Sequence, residues 1–196
     1  MKKLVATTVI ATILLATGAA FGQSDAHDVE VLIPNVLMLR ITDASGSDEG
    51  ASPSVVFDFQ TDVDAYLDMV NGGGGDLAPT GVADFDDVIV FSNRAAWSVG
   101  VSAEALTFAD DLGLSVSGNG VALSDISVEP SGTPGPNVSS VETSWSLATT
   151  DSIANGVRTQ GWRSLGFGGS DYRLAVNGDE DPGSYTTVVT YTITAP

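Results

Sequence analysis

His27 is the lone imidazole of this chain and cysteine is absent, so the usual bases, nucleophiles and soft metal ligands are almost missing. A serine triad would have to take its base from a short stretch ahead of the first strand, and a zinc site would have one nitrogen and no thiolate. Carboxylates remain. Two of them suffice for glycoside hydrolysis, but the acids fall mostly in loop-like stretches, and no spacing selects a partner for Asp58 on its predicted strand. Calcium takes about six to eight oxygens, which makes Asp84, Asp86, Asp87 and Asp179, Glu180, Asp181 candidate ligands of a structural calcium ion. Neither run has the EF-hand spacing, and Gly72 to Gly75 lacks the Lys-Ser/Thr that completes a phosphate-binding loop. The residues predict a protein that is not an enzyme and has no cofactor beyond, at most, such an ion.

The charge balance narrows the partners. Twenty-five acids face seven bases, a formal net charge of −18. Two of those bases, Lys2 and Lys3, open an apolar run from Leu4 to Ala16 that ends in Ala20-Phe21-Gly22, the layout of a cleavable export signal. Its removal would leave five arginines, Arg40, Arg94, Arg158, Arg163 and Arg173, and deepen the charge to −20. Such a surface repels nucleic acid and anionic lipid. The expected location is outside the cytoplasm, secreted or on the surface of a bacterium, with no membrane insertion after the leader (1–22) is cut. A short tail (23–27) and a single domain (28–196) would follow.

The elements that must position any site read as strands. Glu30 to Thr42 is extended, with Pro34 suited to an edge or bulge. Further strands are predicted at Ser54–Phe59, Val88–Ser92, Trp97–Glu104, Leu114–Ser117, Ser124–Val128, Val141–Leu147, Arg163–Phe167, Tyr172–Val176 and Tyr185–Thr194. The last of these alternates over its whole length and is expected at the centre of its sheet. One short helix is predicted over 62–70 from the spacing of Val63, Tyr66, Leu67 and Val70. The sum is an all-β fold, an antiparallel β-sandwich of Ig-like or Greek-key type. Trp97 and Trp145 belong in its core, whereas Trp162, between Gly161 and Arg163, is open to either place, the core or a surface from which an aromatic ring can stack on a sugar face.

Two passages resemble the WxL domain, a bacterial cell-surface β-domain. Asn93-Arg94-Ala95-Ala96-Trp97-Ser98-Val99 is similar to its Asn-Arg and Trp-x-Leu pattern, with Val99 where Leu is usual. Gly183-Ser184-Tyr185 and the Thr-rich run to Ala195-Pro196 are similar to its closing strand, with Tyr191 and Ile193 in place of Trp and Leu. The literal Trp145-Ser146-Leu147 falls outside both places. The closing pattern is also similar to pilin-like and spore-coat-like β-sandwiches. The resemblance implies a non-enzymatic envelope protein that associates with cell-wall polymer or with other surface proteins, and it singles out Trp97, Val99, Tyr185, Tyr191 and Ile193. The competing expectation is a surface-fibre subunit that self-assembles by strand addition, with residues 28–42 as the donor.

Overall fold

Alternation of apolar and polar side chains along each strand sends every second residue inward, and the interior of this molecule is built that way. The computed structural model describes residues 30–47, 52–60, 63–73, 76–110 and 120–196. The leader, the tail with His27 and the strand expected at Leu114–Ser117 lie outside those residues. The chain divides into two units, Met1–Pro34 and Asn35–Pro196. The described residues of the first, 30–34, are exposed and belong to no helix or strand.

In the second unit the strands form several sheets, all antiparallel, around one apolar core. The first sheet has β4 (Asp87–Ser92) between β1 (Leu37–Thr42) and β11 (Arg163–Ser164). The second runs β14 (Val189–Thr194), β5 (Trp97–Ala103), β10 (Ser152–Gly156), β8 (Val138–Val141). A third has β7 (Ile126–Val128) between β12 (Tyr172–Leu174) and β9 (Trp145–Ser146). Two pairs complete the set, β13 (Gly183–Thr186) with β6 (Thr107–Asp110) and β2 (Ser54–Val56) with β3 (Gly81–Ala83). Val88 and Val90 of β4 meet Trp97, Val99 and Val101 of β5 and Ile153 of β10 inside, and β1 packs beside β14. Helix α1 (Val63–Asp68) passes into a turn, Met69–Gly73, that Gly72 closes at φ 88°, a left-handed backbone that glycine adopts without penalty. Among the described residues no helix is long and apolar enough to cross a membrane.

Several expected elements differ. Glu30–Thr42 is a strand only over β1, which pairs in register with β4 from Leu37 opposite Ser92 to Thr42 opposite Asp87. That half of the expected donor segment is therefore already hydrogen-bonded within its own chain. The strand expected over Ser54–Phe59 stops at Val56 and that over Arg163–Phe167 at Ser164; Val141–Leu147 is interrupted at 142–144. The closing run is two strands rather than one. β13 follows β6 and β14 follows β5, with 187–188 opposite the longer stretch 104–106, the geometry of a bulge. β14 consequently lies at the edge of its sheet and not at the centre.

Candidate functional site

β4 buries Val88, Val90 and Ser92 and turns Asp87, Ile89 and Phe91 to the outer face of its sheet. Register places Met38 opposite Phe91 and Arg40 opposite Ile89 on that face. Just beyond β4, residues 157–163 return to it. Buried Ser92 and Thr159 pin them there: Ser92 N–H donates to Thr159 Oγ1 at 2.9 Å, and Thr159 N–H donates to the Ser92 carbonyl at 2.8 Å. The pin sets Trp162 against Phe91, ring centroids 5.9 Å apart, and brings the Arg40 guanidinium to 4.6 Å from the Trp162 centroid. Such stacking suits arginine, whose planar, weakly hydrated head gives up little water on an aromatic face.

Other arginines gather at the same end. Arg158 Nε donates to the Asn93 carbonyl at 3.0 Å, and Arg163 Nη1 and Nη2 donate to the Trp162 and Gln160 carbonyls, each at 3.0 Å. Arg94 Nη2 donates to a main-chain oxygen of Pro196, the last residue, at 2.7 Å. Arg158 and Arg163 meet no carboxylate among the described residues, whereas Arg173 lies 3.8 Å from Glu129. A chain with 25 acids thus sets several of its few cations around one aromatic patch and ties them to carbonyls.

At the start of β4 the character reverses. An open cleft of about 250 Å³ is lined by Asp86, Asp87 and Asp171, by the hydroxyls of Ser131, Thr133, Ser164 and Ser170, and by glycine backbone. Glycine is required where two chain segments touch: Gly132 N–H donates to the Gly166 carbonyl at 3.0 Å, and a methyl on either residue would strike the other. Asp171 is buried and accepts the Gly168 N–H at 2.8 Å. Asp87 is half-buried. Burial raises its carboxyl above the ordinary value, although the Ser164 hydroxyl and the Val88 and Gly166 amides pull the other way. Its Oδ1 is buried without a hydrogen-bond partner among the described residues.

The residues singled out by sequence fall into separate places. Trp97 and Val99 are core: Trp97 is 2 % exposed and its Nε1 donates to the Val157 carbonyl at 2.8 Å. Half-buried Tyr191 shares a 2.8 Å hydroxyl hydrogen bond with buried Tyr172, and Ile193 packs on the core beside it. Burial pushes the Tyr172 phenol up to about 12 and the Tyr191 phenol well above its ordinary value, so both stay protonated. Tyr185 stacks on Phe108 with centroids 4.6 Å apart, and its hydroxyl donates to the Asp181 carbonyl at 2.8 Å. Trp145 and Leu147 are buried, and the Trp145 indole N–H has no partner among the described residues. Trp162 alone of the three tryptophans sits on the outer face.

The candidate calcium ligands are dispersed. Asp84 occupies a left-handed turn at φ 52°, Asp86 is exposed at the cleft, and Asp87 turns toward Ser164. Glu180 accepts the Asn177 and Gly178 amides and the Tyr66 hydroxyl, at 2.7, 2.9 and 3.0 Å, and exposed Asp179 donates its own amide to Asn177. Among the described residues no three acids or histidines converge to hold a metal ion. The meeting of Arg158 with Asn93, and of Asp87 with Ser164, joins residues more than sixty positions apart; no local signal in the sequence marks it.

The chain matches no family model, no curated protein and no solved structure.

Proposed function

We propose that this chain is an exported, non-enzymatic envelope protein that binds cell-wall polymer through the outer face of the β1–β4–β11 sheet, with Trp162 as its anchor. The observation that carries the reading is the placement of the tryptophans. Two of the three fill the core, and the third stands on the outer face beside Phe91, with Met38, 40 % exposed, opposite Phe91 and arginine stacked on the indole. Sugar rings present apolar faces with polar rims. An aromatic surface bordered by guanidinium donors complements both, burying the face and hydrogen-bonding the rim. The leader-like N-terminus supplies the route out of the cytoplasm, and the Asn-Arg and Trp-x-Leu-like passage supplies the link to wall association.

Anchoring residues of this type cost about 2 kcal/mol or more on truncation, roughly thirtyfold in affinity. Trp162→Ala is therefore expected to lower co-sedimentation of the purified protein with purified envelope by about that factor, with the melting curve changed little. Equal binding by a folded Trp162→Ala protein would remove the assignment.

A further inference from the structure

β4 carries opposite charge at its two ends. At the far end Arg158 is exposed; its Nε is held by the Asn93 carbonyl, and its two terminal nitrogens have no partner among the described residues. Arg94 lies beside it, the residue after Asn93. At the near end is the cleft, where exposed Asp86 has no ion-pair partner among the described residues. Half-buried Asp87 lines the same cleft, its carboxylate held by the Ser164 hydroxyl and the Val88 and Gly166 amides. Two carboxylates, Asp86 and Asp87, thus stand side by side at the cleft with no arginine paired to either among the described residues. From Asp87 to Asn93 an extended strand rises about 3.3 Å per residue, so the two ends stand about 20 Å apart. Arg158 cannot reach the cleft of its own chain.

We propose that the cleft receives Arg158 of a second copy, its guanidinium fork lying between Asp86 and Asp87, so that copies add head to tail along the direction of β4. A planar fork with several donors suits acceptors spread along a cleft wall, and arginine pairs with carboxylate through two parallel hydrogen bonds. The cleft's volume accommodates the guanidinium and its methylene stem, and the Ser131 and Ser164 hydroxyls line the same wall. The contact joins unlike surfaces. Each added copy therefore still offers one free cleft and one free arginine, and growth continues. Strand addition by residues 28–42 is not needed. The contact shares Arg158 with the guanidiniums around Trp162 but needs neither Trp162 nor Arg40, so a Trp162→Ala protein, which keeps Arg158 and Asp86, should still associate when polymer binding is lost.

Whole-molecule repulsion opposes the contact, because each copy carries −18. Screening shortens that repulsion from about 30 Å at 0.01 M salt to about 8 Å at 0.15 M, while a pair in direct contact survives. Association should therefore strengthen over that range of salt.

Sedimentation velocity on the purified chain tests this. Wild-type protein is expected to form species that grow with concentration at about 0.15 M salt and dissociate at about 0.01 M. Arg158→Ala and Asp86→Arg, both at exposed positions, should each weaken association at least about tenfold. Mixed together, these two variants should form pairs that stop at two chains, since the first keeps an intact cleft and the second an intact Arg158. Wild type that stays monomeric throughout, variants that assemble like wild type, or a mixture that stays monomeric would each overturn the proposal.

Discussion

At the scale of single residues, the tryptophans separate structural from interacting positions. Trp97 lies over Gly156: a methyl there would collide with the indole and with the Asn137 carbonyl, so glycine is dictated by contact rather than by backbone angle. Overpacking of this kind costs about 3 kcal/mol. Gly156→Ala is expected to lose about that much stability in chemical denaturation; a loss well under 1 kcal/mol would mean that the ring moves aside freely. The Trp97 position was legible in sequence, because it opens an alternating strand whose odd members, Trp97, Val99 and Val101, are all buried. The Trp-x-Leu pattern at Trp145 is equally buried, so the motif marks packing at both places. What set Trp162 apart in sequence was its neighbours, Gly161 and Arg163, which break any apolar period and leave the ring without an inward partner of its own.

At the scale of elements, α1 is tied to the 177–181 turn by one acid. Tyr66 donates to Glu180, and Phe59 lies 6.3 Å from the Tyr66 ring. Burial alone would raise the Glu180 carboxyl, but the Asn177 and Gly178 amides and the Tyr66 hydroxyl outweigh it and hold the group below its ordinary value of 4.5. A carboxyl lowered in the folded state contributes stability that is complete above its ordinary value and is lost as pH falls through the folded one. Amide protection factors in 63–68 and 177–181, taken relative to the intrinsic exchange rate at each pH, should accordingly fall between about pH 5 and about pH 3, ahead of the core strands. Glu180→Gln should be loose already at neutral pH and show less change; identical exchange profiles would contradict the tie. The helix itself was legible from its 3.6-residue spacing, whereas β10 was not. Ser152–Gly156 holds one β-branched residue, Ile153, and is a strand because β5 and β8 flank it, a context that intrinsic preference does not report. The bend at 187–188 was equally hidden, since it answers a longer stretch in a partner some eighty residues away.

At the scale of the whole molecule, composition indicated an all-β chain with an acidic surface, and the antiparallel sheets around one core agree with it. Net charge gave no hint that Arg94 and Arg158 would lie at one end of β4 and a carboxylate cleft at the other. That segregation depends on which distant segments β4 gathers, and β4 is the element on which both proposed contacts are built. The polymer reading places Trp162 at the contact, and fluorescence reports on that ring directly. Acrylamide quenching of the native protein should show one accessible tryptophan that is missing in Trp162→Phe, because Trp97 and Trp145 are 2 % and 5 % exposed. Addition of solubilised wall polymer is expected to shield that accessible component. If the polymer binds and the Trp162 signal remains fully quenchable, the contact lies elsewhere and the account of this face is wrong.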